Sequence, residues 1–173
     1  QRFDPNNFFY TGFSYGAGQV IKSVDIRTHF KFMPWRAVAA AEPGCNVISK
    51  PVKVPFPILM IKGSESHYYI EPCQYFARLL ISAGISAELD VIEGANHFFS
   101  TDGRIVEGKA VNGCRFNPII RKKDGFEFAD GSPATRRSIR QKCFTRMGGA
   151  GKNRLLLDSV VDRVLSYFEK HKT

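Results

Sequence analysis

The stretch from Phe8 to Val24 constrains the fold more than any other. A short apolar run, Phe8-Phe9-Tyr10, leads into Gly12-Phe13-Ser14-Tyr15-Gly16, after which Ala17, Val20, Ile21 and Val24 fall at helical spacing. The pattern predicts a buried strand, a sharp turn and a helix, with a serine at the apex. Glycines two residues to either side fit a turn whose flanks tolerate little else. Such a turn holds the Ser14 hydroxyl out beyond the end of the strand, which makes it a candidate nucleophile. The plain alternative is a tight turn with no chemistry.

The remainder of the chain alternates in the same way. Ala37-Val38-Ala39-Ala40-Ala41, ending at Pro43-Gly44, and the run at 57–63, PILMIKG, read as buried parallel strands. Phe76, Leu79, Leu80 and Ala83 keep helical spacing and Gly84 supplies a left-handed stop; Ala87, Leu89 and Val91 then alternate with Glu88 and Asp90 as a strand. In the last element Leu156, Val160, Val164 and Tyr167 share one helical face, with Asp158 and Asp162 opposite. Strands alternating with helices specify an α/β fold with a mostly parallel sheet flanked by helices. A length of 173 residues, 43% of them hydrophobic, suits a single domain over 1–173 with a substantial core. No run of eighteen apolar residues occurs, and the first thirty residues lack the parts of a signal peptide, so neither a membrane span nor an export signal is expected within the sequence as given, a signal removed earlier or lying in further sequence being the alternative.

The net charge of +9 raises the question of nucleic acid. Between Asp102 and Ala150, eleven Lys or Arg stand against five Asp or Glu, in a stretch without clear periodicity. With no reader motif alongside, the stretch is expected to be an irregular, solvated basic excursion, and nucleic-acid binding is disfavoured.

A serine hydroxyl needs a base to take its proton. His29, His67, His97 and His171 are the choices. His97, in EGANHFF just past a strand that ends at Gly94, is placed to reach Ser14. His171 is read as a solvated tail residue, His29 as lying on or after the first helix, and His67 as exposed and without a role. Cys45, Cys73, Cys114 and Cys143 are too widely spaced for a zinc site, which leaves disulfides and buried thiols both open.

Taken together, GFSYGAGQV, AEPGC, PILMIKGSESHYYIEPC and VIEGANHFF resemble the dienelactone hydrolase branch of the α/β-hydrolase superfamily, over residues 8 to about 100 with the terminal helix consistent. The resemblance implies a partial α/β-hydrolase fold with its N-terminal strands absent. It implies a serine hydrolase acting on a carboxylic ester or lactone through an acyl-enzyme, with no metal or organic cofactor. Ser14 would be the nucleophile, His97 the base and the Tyr15 backbone N–H one oxyanion donor, the second donor belonging to a loop that this sequence does not contain. The family's aspartate falls at Ser66, so the neighbouring Glu65 is the acid candidate, with Glu71 the other carboxylate nearby. Cys45 would pair with Cys73 and, with it, Cys114 with Cys143, in an exported protein, secreted or periplasmic; a cytoplasmic protein with reduced thiols is the alternative. An open sheet edge at 8–13 would be covered by an N-terminal chain or a homodimer partner. The rival reading is a non-catalytic protein of the same fold, its triad decayed at Ser66 and its basic excursion serving binding.

Overall fold

The computed structural model describes residues 4–25, 34–97, 108–111, 114–147 and 154–173. A four-stranded parallel sheet runs in the order β1 (Phe8–Phe13), β2 (Trp35–Ala41), β4 (Ile58–Gly63), β5 (Ala87–Ile92). Helix α1 (Tyr15–Lys22) follows β1 and α2 (Ile70–Ser82) follows β4, while α4 (Arg154–Lys170) closes the described chain.

The apolar runs form central strands because both of their faces are covered. Val38, Ala40, Ile58 and Met60 pack with Val20, Val24, Phe76 and Leu80 on the α1 and α2 side. Ala37, Ala39, Ala41, Leu59 and Ile61 pack with Val160 and Tyr167 of α4 on the other. Successive strand residues point to opposite faces, so a continuous apolar run serves two cores at once. Truncating a fully buried side chain such as Met60 or Leu80 to alanine should cost ~2–5 kcal/mol.

Two expectations are corrected. β1 is half-buried rather than buried, with Phe8 exposed, and is the open edge expected at 8–13: among the described residues only β2 pairs with it. The basic stretch is not irregular. Its described residues carry β6 (Gly108–Val111), β7 (Ile119–Lys122), β8 (Gly125–Phe128), α3 (Arg136–Lys142) and β9 (Phe144–Met147). β7 and β8 form a hairpin turning at Lys123-Asp124, with Gly125 at φ 144° opening β8, and β7 pairs in parallel with β3 (Val47–Ser49), which fastens the excursion to the chain just after β2. Ile119, Phe128, Ala134 and the Cys114–Cys143 disulfide make a small core of their own. The side chains of Thr135 and Ser138 cap α3 reciprocally.

Candidate active site

Ser14 sits between β1 and α1 with φ 52° and ψ −109°, a left-handed backbone that a serine adopts only under constraint. Its N–H donates to the Ala41 carbonyl (2.9 Å), which ties the apex of the turn to the end of β2. A Cβ on Gly12 would overlap the backbone of Gly16, so glycine is required there for the helix to cross the strand end closely. The same does not hold at Gly16, whose Cβ direction is open. Tyr15 directs its ring to solvent, 82% exposed, and its backbone N–H lies at the N-terminus of α1.

His97 is buried, in the loop that follows β5. This loop comes close because Gly63, the last residue of β4, has no side chain: a Cβ there would fall on the Ala95 carbonyl. The Ser64 N–H to Ile92 carbonyl bond (3.0 Å) and the Glu65 N–H to Ala95 carbonyl bond (2.9 Å) stitch the two loops together. The result places His97 Nε2 at 2.8 Å from Ser14 Oγ. On the other side, His97 Nδ1 is 3.0 Å from Glu42 Oε2. An ionised carboxylate only accepts, so Nδ1 carries the proton and Nε2 is left to accept from the serine hydroxyl.

The carboxylate at the histidine is therefore Glu42 and not Glu65. Glu65 is exposed, and its neighbour Ser66 turns inward to donate to Glu42 Oε2 (2.8 Å). Glu42 follows the last residue of β2 at φ 56° and is 1% exposed. Oε2 also accepts from Lys62 Nζ (2.8 Å), and Oε1 accepts from the Gly63 N–H. Burial alone would raise the Glu42 pKa; the His97 hydrogen bond, the Lys62 charge and hydrogen bond, and the Gly63 N–H outweigh it and hold the carboxyl below its usual range. Glu71, the other carboxylate considered, pairs instead with Arg115 (2.9 Å). Two signals in the sequence point to Glu42: a carboxylate that directly follows the apolar run AVAAA in the strand beside that of the serine, and a lysine inside the apolar run ILMIKG, which needs a buried counter-ion.

His67 is buried rather than exposed, its ring 4.8 Å from that of His97 and 4.3 Å from that of Tyr68. Burial, with the neighbouring His97 and Lys62, pushes its pKa down to about 4. His171 is half-buried, its ring 4.7 Å from that of Tyr167, and His29 lies outside the described residues. A cavity of about 410 Å³ opens at Ser14 and His97, walled by Ile21, Val24, Val47 and Phe76, with Arg121 of β7 also lining it. The Cys45–Cys73 disulfide ties the turn after Glu42 to α2, so both cysteine pairs implied by the resemblance are formed. Among the described residues no cluster of His, Cys, Asp and Glu could hold a metal ion, and no helix is long and apolar enough to cross a membrane.

No protein-family model matches the chain, and no curated protein does. Among solved structures it is similar to an esterase of the planctomycete Thermogutta terrifontis, Est2, with propionate bound, at 19% identity and a TM-score of 0.44, over 56% of this chain and 48% of that one. It is also similar to esterase PE8, at 24% identity and a TM-score of 0.40, over 58% of this chain and 47% of that one. The chain spans about half the length of each of these structures. The parallel sheet, the helices on its two faces and the strand–serine–helix turn make the arrangement an α/β fold with a mostly parallel sheet flanked by helices.

Proposed function

We propose that this chain carries the catalytic centre of a serine hydrolase acting on a carboxylic ester or lactone, with Ser14 as nucleophile, His97 as base and Glu42 as acid. One observation carries the reading: the unbroken hydrogen-bonded line from Ser14 Oγ through His97 to Glu42, built from the ends of three strands of one sheet. The strained backbone of Ser14 and the cavity at its hydroxyl support the same reading.

Ser14 Oγ attacks the carbonyl carbon while its proton passes to His97 Nε2, and the carbonyl electron pair moves onto oxygen. The Tyr15 N–H faces that oxyanion with the positive end of the α1 dipole behind it. The tetrahedral adduct collapses, the C–O bond to the alcohol breaks, and the imidazolium returns its proton to the departing oxygen. Water then attacks the acyl-enzyme, gives a proton to Nε2, and the acid leaves as Ser14 regains its hydrogen. In each step Glu42 fixes the imidazole tautomer and stabilises the imidazolium.

A substrate of the dienelactone hydrolase type is the finer form of this proposal, carried by the resemblance of the four quoted segments. The second oxyanion donor, export to an oxidising compartment and a strand or second copy alongside β1 belong to the same proposal; the two disulfides support the oxidising compartment. Hydrolysis of short-chain p-nitrophenyl esters and of a simple lactone tests the activity. Turnover that Ser14→Ala removes is the expected result, and turnover unchanged by that substitution would exclude Ser14.

A further inference from the structure

Lys62 is the penultimate residue of β4 and is 0% exposed, on the same sheet face as Ile58 and Met60. Packing alone favours an aliphatic residue at such a position, since an ammonium loses its hydration there and needs close partners. It has them: Nζ donates to Glu42 Oε2 at 2.8 Å and to Ser66 Oγ at 3.1 Å, while Ser66 donates to that same Oε2. Glu42 Oε2 thus receives three donors, from Lys62, Ser66 and His97 Nδ1.

We infer that Lys62 is a positioning residue of the Ser14–His97–Glu42 array: it locks the carboxylate in its orientation and, by neutralising it, holds back protonation of the base, extending the working range toward acid. The inference rests on the hydrolase reading above. A lone carboxylate at Nδ1 would strongly favour the imidazolium, whereas a carboxylate already paired with an ammonium favours it less. Burial draws the Lys62 pKa below its usual value and Glu42 opposes that draw, so the two groups ionise as a coupled pair.

The other groups facing this pair leave the role to Lys62. From the loop between β4 and α2, His67 is held neutral, and Tyr68, whose ring lies 5.8 Å from Nζ, is pushed by burial toward its neutral form. From the elbow come Phe13 and the neutral Ser14 hydroxyl. The charged groups that line the cavity beside them are Lys22, Asp25 and Arg121.

The test reads the titration of the His97 ring by NMR, together with the acid limb of the kcat/KM profile, in wild type, Lys62→Met, Lys62→Arg and Ser66→Ala. In Lys62→Met both should move up by about one pH unit, the effect of removing one nearby charge, and kcat should fall. Lys62→Arg should leave the midpoint in place, and Ser66→Ala should lower kcat without moving it. A folded Lys62→Met protein with an unmoved midpoint overturns the inference. If that variant does not fold, the 15N signal of Lys62 in the wild type decides: a charged ammonium throughout the range in which His97 titrates upholds it, and a neutral amine overturns it. Absence of ester turnover in the wild type would count against the hydrolase reading alone, because the His97 midpoint remains measurable.

Discussion

The Ser66 hydroxyl donates to Glu42 Oε2 at 2.8 Å, so the place where an aspartate is expected instead supports a carboxylate carried by the neighbouring strand. In the proposed reading the acid stands at the end of β2 rather than at the end of β4, where the resemblance puts it, and the small polar residue at that second place is its hydrogen-bond donor.

Glu42→Gln should therefore reduce kcat by about 10³–10⁴-fold, since an amide at that place no longer holds the imidazole in the required tautomer. Glu65→Gln, altering an exposed side chain, should leave kcat within about twofold. The informative variant is Glu42→Ala combined with Ser66→Asp, which should recover at least tenfold over Glu42→Ala alone because a carboxylate returns within reach of His97, on the order of what a repositioned triad acid supplies. Steady-state kinetics on one ester decide all three.

The Cys45–Cys73 bridge closes a loop with a sequence separation of 28 and anchors the turn that presents Glu42. Its removal by Cys73→Ser should cost about 3 kcal/mol in stability and also lower kcat. Cys143→Ser opens the other bridge, in the small core around Phe128, and should lower stability while sparing kcat. Denaturant midpoints and kcat, compared side by side, separate the two effects.

His67 makes stability depend on pH in a defined window. Its folded pKa of about 4 lies below the ordinary 6.5, so between those values the unfolded chain binds the extra proton and the fold does not. Stability is full above about 6.5 and falls as pH drops toward 4. Glu42, held below its ordinary 4.5, acts with the same sign only at lower pH, its contribution being lost as pH falls below 4.5. His67→Gln should narrow the difference in Tm between pH 7 and pH 5 by roughly 2–4 °C. An unchanged difference in thermal unfolding would show that His67 is not the group responsible.

The parts that could be read from the sequence are those with local signatures. The elbow around Ser14, the runs that became β2 and β4, the Gly84 stop and the apolar stripe of α4 each declare themselves within a few residues. His97 was legible because the strands run parallel, so the loop after β5 opens at the same end of the sheet as Ser14, and Gly63 lets it cross the end of β4 toward the serine. Glu42 was only hinted at, by the carboxylate after AVAAA and the lysine in ILMIKG, since the identity of the acid depends on which strand end faces the imidazole, and the role of Ser66 makes sense only once Glu42 is in place. The small sheet was hidden for a different reason. β3 spans three residues, and its partner β7 lies some seventy positions further on, so no local periodicity announces the pairing. The Asp124-Gly125 pair, which closes the Lys123-Asp124 turn onto β8, was a short-range sign of the hairpin.

The most direct test of the central claim is the rate at which a fluorophosphonate modifies the intact chain, with the adduct located by peptide mass in wild type, His97→Ala and Glu42→Gln. A single adduct on Ser14, forming at least a hundredfold more slowly in both variants, on the order of the contribution of a positioned base, is the predicted result. An adduct elsewhere, or one on Ser14 that forms equally fast without His97 or Glu42, would contradict it.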